Sequence, residues 1–173
     1  MAWTASEESR SVLIAGLRNA HAMENQALSI MKPQVERLEH YPDVEQRLRA
    51  HIAETQTQIG RLDTILNDLG DDSSALKDAA LSLSGAMAAV VHTFAPDEIL
   101  KNSFANYAFE NFESAAYTSL ITLAEHGGLS TAVPLLQQSL GEERAMAEWL
   151  NTNLSAVTLR YVSLREAGQT AKK

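Results

Sequence analysis

Apolar residues recur every three or four positions along four long stretches of this chain, which is the spacing of helices with one buried face. Runs of β-branched residues are scarce, while Ala, Leu, Glu and Gln are abundant, and this composition favours helix over strand. The pattern therefore predicts an all-α protein with four long helices. The apolar stripe of the first helix is Leu13, Leu17, Ala20, Ala27 and Met31, and that of the second is Val44, Leu48, Ile59, Leu62, Leu66 and Leu69.

Prolines and glycines predict where these helices begin and end. Pro33 must end or kink the first helix, because it lacks an amide proton and crowds the preceding turn. Pro42 suits the first position of the second helix, and Gly70 suits a left-handed cap after it. Gly127 ends the third long helix. An Ala-rich stretch over residues 75–94 predicts an additional helix in the connection between the second and third long helices.

Residues 106–123 are apolar almost all the way round a helix, yet they include Glu110 and Glu113, one turn apart. A helix that is hydrophobic on every side is usually buried inside a bundle. Buried carboxylates cost free energy unless a cation pairs with them. The stretch therefore raises the question of which cationic groups meet these two glutamates.

The other long helices also carry acidic or imidazole groups on their inward faces. Glu24 interrupts the first apolar stripe, and Glu143 interrupts the last one. In the second helix His51 lies on the stripe and Glu54 lies toward its edge. Four long helices of this kind, joined by a long crossover with an extra helix, are the layout of the ferritin-like four-helix bundle.

A di-iron or di-manganese site in such a bundle needs about four carboxylates to balance two divalent cations, usually with one or two imidazoles. Where the usual pattern places a histidine after Glu54 and Glu143, this chain has Thr57 and Met146. We therefore expect an oxygen-rich site that accepts iron or manganese. The candidate metal ligands are Glu24, His51, Glu54, Glu110, Glu113 and Glu143.

Each candidate also has an ordinary structural explanation. Taken singly, Glu24 or Glu143 on a helix seam is more often a buried acid paired with Arg, Tyr or His. His51 is either a ligand or a hydrogen-bonded core histidine. Tyr117 could hydrogen-bond a carboxylate, although core packing is the favoured role, and Glu142 is expected to face solvent. The metal hypothesis depends on the four carboxylates together.

Charge and composition exclude several classes of function. The net charge of -8 argues against a nucleic-acid-binding surface. The chain has no cysteine, which excludes disulfides, thiolate metal sites and cysteine nucleophiles. The longest apolar-rich segment, residues 79–91, is too short to cross a bilayer, so a cytoplasmic protein without a membrane partner is expected. We expect one domain over residues 1–168 and a disordered tail over residues 169–173.

Three stretches resemble the YciF/YciE-type bacterial stress-response proteins, a branch of the ferritin-like superfamily. They are AHIAETQTQIGRLDTIL (50–66), FENFESAAYTSLITLAEHGG (109–128) and LLQQSLGEERAMAEWL (135–150). The resemblance implies a ferritin-like bundle, usually a homodimer, with a metal site. The chain departs from the family at Asn111, where histidine is common. The positions that match the family's site are Glu24, His51, Glu54, Glu110, Glu113 and Glu143.

Two functions are compatible with these residues. In the first, a di-metal centre of iron or manganese handles oxygen, peroxide or ferrous iron under stress. Glu24 and Glu54 would then hold one metal, which His51 completes, and Glu110 and Glu143 would hold the other. In the second, the protein is a non-catalytic structural or interaction protein that keeps a dimeric bundle and a degenerate metal site.

Overall fold

A computed structural model describes residues 3–71 and 95–173 of the chain. Within these residues the secondary structure is helical and contains no strand, which confirms the all-α prediction. The additional helix predicted for residues 75–94 lies outside the described residues. The helices are α1 (Glu7–Val35), α2 (Pro42–Asp68), α3 (Glu98–His126) and α4 (Ala132–Glu166).

The helix ends follow the proline and glycine positions. Pro33 lies inside α1, and the helix ends two residues later at Val35, so the proline marks its last turn. Pro42 is the first residue of α2, as predicted. Gly70 follows α2 with a φ of 72°, a left-handed conformation that glycine adopts without steric cost. Gly128 plays the same part after α3, with a φ of 74°.

The four helices pack as two hairpins, α1 with α2 and α3 with α4. In addition, α1 lies against α3 and α2 lies against α4, so that α2 and α3 are placed diagonally. The Thr4 amide donates to the Gly127 carbonyl at one end of the bundle, at 3.1 Å. At the other end Arg37 pairs with Glu98 at 2.7 Å. These contacts make α1 and α3 antiparallel, and α2 and α3 therefore point the same way.

The end of α2 and the start of α3 consequently lie at opposite ends of the bundle, which is the geometry that a long crossover joins. The 27 residues of α2 span about 40 Å at a rise of 1.5 Å per residue. Two hairpins joined by one such crossover are the ferritin-like arrangement. None of the described helices combines the length and the hydropathy that a bilayer crossing needs.

The residues after α4 contact the end of the helical bundle where α1 ends and α3 begins. The Tyr41 hydroxyl donates to the Ala171 carbonyl at 2.6 Å, and Ala171 is buried. The Lys172 carbonyl accepts from the Ile99 amide at 2.9 Å. Because the first amides of a helix lack partners within it, a carbonyl at this position satisfies one of them and holds the segment against the start of α3.

Candidate metal centre

One imidazole and three carboxylates meet in the core of the bundle. They are His51 of α2, Glu110 and Glu113 of α3, and Glu143 of α4. One ligand atom from each lies within 4.8 Å of the others. All four side chains are buried, with exposed fractions between 0% and 2%. The convergence predicted for these four residues is therefore present.

The apolar seams force these polar side chains inward. Glu143 lies between Leu140 and Ala147 along one face of α4, and all three residues are buried. His51 follows the buried Leu48 in the same way on α2. Residues three or four apart share a helix face, so burial of the apolar neighbours fixes the rotation of each helix. The same spacing places Glu113 beside Glu110 on α3.

The two ring nitrogens of His51 contact different carboxylates. Its Nε2 lies 2.9 Å from Glu110 Oε2 and 3.4 Å from Glu143 Oε2. Its Nδ1 lies 2.8 Å from Glu54 Oε2. Arg47 also contacts Glu54, at 3.0 Å, and the Glu54 side chain is one-third exposed. Glu54 thus lies behind the imidazole, outside the four-residue group, and its role as a ligand stays a prediction.

Glu24 of α1 reaches the edge of the cluster. It is fully buried, and its Oε1 accepts a 2.6 Å hydrogen bond from the Tyr117 hydroxyl. Its Oε2 has no hydrogen-bond partner among the described residues. The negative charge of Glu24 is close enough to help raise the pKa of Glu113. All four helices therefore contribute a side chain to this region.

Burial and mutual repulsion shift the acids of the cluster toward their protonated forms. Burial raises the pKa of Glu110 to about 8, although His51 opposes the shift. Burial also raises the pKa of Glu113 well above its usual value, and the charges of Glu24 and Glu143 add to this. For His51, burial alone would lower the pKa, but the surrounding carboxylates outweigh it and raise the pKa to about 12. The cluster therefore contains more acidic groups than its one imidazole can balance when they ionise, in a core that is shielded from solvent.

Unpartnered oxygens distinguish this cluster from an ordinary buried ion pair. Among residues 3–71 and 95–173, no donor hydrogen-bonds to either oxygen of Glu113 or Glu143. His51 is the sole cationic partner that the described residues bring to Glu110 and Glu143. By contrast, the equally buried Glu98 pairs with Arg37. Buried polar atoms nearly always have partners, so this donor set fits a cation.

A polar group next to the cluster is not evident in the sequence. Arg61 contacts both oxygens of Glu142, at 2.6 and 2.8 Å, and donates to the Ser139 hydroxyl at 3.1 Å. Gln58 also donates to Glu142, at 3.0 Å. The expectation that Glu142 faces solvent is wrong, because the arginine opposite it on α2 draws the carboxylate against the bundle. Gln58 and Arg61 are three residues apart and so share a face of α2, but the sequence of α2 does not identify Glu142 of α4 as their partner.

Two other predictions have a clear outcome. Tyr117 hydrogen-bonds the Glu24 carboxylate, a role that the sequence favoured less than core packing. Asn111 is exposed on the outer side of α3, and its amide donates to the Tyr107 carbonyl at 2.6 Å. The departure from the family at this position therefore lies outside the cluster.

Comparisons with known proteins identify the family. The family described as Domain of unknown function (DUF892) matches residues 8–163. A protein of Xanthomonas campestris pv. campestris is 28% identical, with a TM-score of 0.76 over 91% of this chain and 99% of that one. YcfI of Rhodopseudomonas palustris, described as a candidate structural protein, is 27% identical, with a TM-score of 0.65 over 86% of this chain and 98% of that one.

The stress protein YciF of E. coli has the same fold. It is 24% identical, with a TM-score of 0.70 over 86% of this chain and 96% of that one. Since the family match covers most of the chain, from the start of α1 almost to the end of α4, the resemblance to YciF-type proteins is confirmed. The chain belongs to the DUF892 family.

Proposed function

We propose that this protein is a di-metal carboxylate protein whose buried cluster binds iron or manganese and handles oxygen, peroxide or ferrous iron. The observation that carries the proposal is the set of carboxylate oxygens on Glu113 and Glu143 that have no hydrogen-bond partner among the described residues; His51 is the one cationic group of those residues within ion-pair distance of Glu143. Oxygen-rich sites with one imidazole suit hard divalent cations.

Charge balance supports two cations. The cluster and its edge hold four buried carboxylates, on Glu24, Glu110, Glu113 and Glu143. Two divalent cations would neutralise all four when the imidazole is neutral. A single cation would leave two of the acids to be neutralised by protons. Full occupancy therefore needs Glu24 as well as the four-residue group.

Individual side chains would have distinct roles in this metal site. His51 would present Nε2 to a metal, and Glu54 would accept the proton on Nδ1, which fixes the tautomer and the ring plane. The contacts of His51 support a division of ligands in which it shares a metal with Glu110 and Glu143, and not with Glu24 as the sequence suggested. Bound iron or manganese would supply Lewis-acid and redox chemistry. The surrounding apolar seams exclude water from the ligands.

Metal analysis tests the proposal directly. Protein purified without chelator should contain iron or manganese, and stripped protein should bind up to two Mn²⁺ or Fe²⁺ per chain under anaerobic conditions. Metal well below one per chain, unchanged by reconstitution, would rule the proposal out. An assay of ferrous oxidation and peroxide consumption then tests the reaction class.

Glu143→Gln is the decisive variant, because it removes one negative charge and preserves the side-chain shape. We expect its metal affinity to fall by more than the roughly 10–100-fold that loss of an outer partner costs. Glu98→Gln is the matched control, since Glu98 is equally buried and already paired with Arg37. Equal affinity of both variants in calorimetric titration would contradict the assignment.

A structural or interaction protein is the alternative function, and the description of the Rhodopseudomonas relative favours it. In that case the dimer expected from the family would matter, and the metal would not. Mn²⁺ at about 100 times its Kd should stabilise a true binder by about 2.7 kcal/mol. If Mn²⁺ leaves the unfolding temperature unchanged, and Glu24→Ala/Glu143→Ala is as stable as the parent, the structural function is favoured. Light scattering measures the dimer.

A further inference from the structure

One polar side chain from each helix forms a connected set beside the cluster. The set, hereafter the Glu24 support, begins at Arg61 of α2 and passes through Ser139 of α4 and Tyr117 of α3 to Glu24 of α1. Tyr117, Ser139 and Glu24 are each at most 1% exposed. Burying polar side chains costs free energy, so a connected set of them in the core indicates a shared function.

The hydrogen bond from Tyr117 makes the two oxygens of the Glu24 carboxylate inequivalent. Its hydroxyl donates to Oε1 at 2.6 Å, while Oε2 has no partner among the described residues. A phenol ordinarily keeps its proton at neutral pH, so Tyr117 is the donor in this contact and Glu24 is the acceptor.

Arg61 and Ser139 anchor the phenol in turn. Glu142 holds the guanidinium of Arg61 through two contacts, at 2.6 and 2.8 Å. One nitrogen of the same guanidinium donates to the Ser139 hydroxyl at 3.1 Å. Ser139 lies beside the hydroxyl of Tyr117, and its own hydroxyl also donates to the Leu135 carbonyl at 3.3 Å. The Tyr117 hydroxyl thus has Ser139 on one side and donates its proton to Glu24 on the other.

We propose that Tyr117, Ser139 and Arg61 are positioning residues that hold Glu24 so that Oε2 alone is presented to a cation. This inference rests on the proposed metal function and deepens it. Glu24 lies at the edge of the cluster, outside the group of His51, Glu110, Glu113 and Glu143. The Glu24 support therefore affects the binding of the second cation, while the other four side chains bind the first.

Tyr117→Phe tests the proposal, because it removes one oxygen and little volume. In a titration of stripped protein with Mn²⁺, the second equivalent should bind roughly 10–100-fold more weakly than in the parent. The first equivalent should be unchanged. Electron paramagnetic resonance should show an isolated Mn²⁺ ion where the parent shows a spin-coupled pair. Tyr107→Phe is the matched control on the same helix, since Tyr107 is 41% exposed.

Ser139 supplies a second, independent pair of variants. Ser139→Ala should weaken the second equivalent in the same way, and Ser139→Thr, which keeps the hydroxyl, should restore it. A role in packing alone would not give this rescue together with the change in the resonance spectrum. The Ser139 pair decides the question if Tyr117→Phe does not fold.

The two proposals fail in distinguishable ways. If the parent protein binds no Mn²⁺, the proposed function is overturned and the inference falls with it. If the parent binds two equivalents, and Tyr117→Phe and Ser139→Ala bind both with the affinity and spectrum of the parent, only the positioning role is overturned. A loss of the first equivalent rather than the second also overturns it.

Discussion

The two nitrogens of His51 have separate tasks. Nδ1 contacts Glu54 at 2.8 Å, and Nε2 faces Glu110 at 2.9 Å. Arg47 holds Glu54 from the protein surface. A carboxylate behind a metal-binding imidazole fixes the ring and raises its basicity. In the proposed metal site the imidazole would bind through Nε2 after losing the proton on that nitrogen, while Glu54 keeps Nδ1.

Glu54→Gln should weaken metal binding and leave the stoichiometry intact. The amide can still contact the ring but no longer supplies a negative charge, so we expect a loss of roughly 10–100-fold in affinity for Mn²⁺. Calorimetric titration measures it. Glu45→Gln is a suitable control, since Glu45 pairs with Arg49 near the start of the same helix. A loss of one whole equivalent instead would make Glu54 a direct ligand, as the sequence suggested.

The sequence predicts which acids are buried better than it predicts their partners. Glu24 and Glu143 interrupt apolar stripes, so their burial follows from the spacing alone. The position of Glu54 behind His51, and of Glu142 against Arg61, depends on which neighbour lies opposite. The pattern along one helix contains no information about that choice, because packing between helices fixes it.

At the scale of elements, two helical glycines that look alike in the sequence differ in their surroundings: one faces a neighbouring helix and the other faces open space. In α1 a Cβ at Gly16 would lie 2.8 Å from Leu120 Cδ2 of α3, so the two helices meet at this point. In α2 a Cβ at Gly60 would meet nothing within 4 Å. Both residues have helical neighbours on each side.

Gly60→Ala should therefore stabilise the protein, by about 0.5–1 kcal/mol, because alanine loses less backbone entropy in a helix. Gly16→Ala has the same propensity gain but must displace the Leu120 side chain, so its net effect should be smaller or opposite in sign. Chemical denaturation of both variants under one set of conditions measures the difference. Equal stabilisation would mean that α1 and α3 are less closely packed than described.

At the scale of the whole molecule, two hairpins enclose a core that contains more acid than cation. Within residues 3–71 and 95–173 the fold was predictable at this level, since the four long helices and their ends follow from apolar stripes and from proline and glycine breaks. The contact of Ala171 with Tyr41 was not, because a short segment with little apolar surface gives no periodic signal.

The metal-free protein should lose stability as the pH rises from about 4.5 to about 8. Glu110 has a folded pKa of about 8, above its usual value, so its stabilising contribution is complete at low pH and is lost as pH rises through 8. His51, whose pKa is raised to about 12, acts in the same direction above its usual range. A loss of about 1 kcal/mol lowers the Tm by roughly 2–4 °C in a domain of this size.

Metal should reverse this dependence, because the ligands must be deprotonated to bind. Thermal unfolding at several pH values, with chelator and with excess Mn²⁺, therefore gives two curves that diverge as pH rises. Glu143→Gln, which relieves repulsion in the core, should flatten the chelator curve. Parallel curves for the parent protein would contradict this account.

The contacts at the two ends of α3 have a practical consequence. Thr4 is bonded to Gly127 at one end, and Lys172 to Ile99 at the other, so segments remote in sequence clamp the helix that bears Glu110 and Glu113. We expect an affinity tag or a truncation at either of these segments to remove one of these hydrogen bonds and loosen that end of the helix. Metal content and affinity measured on such protein would then differ from those of the unaltered chain, and a cleavable tag on a long spacer avoids this.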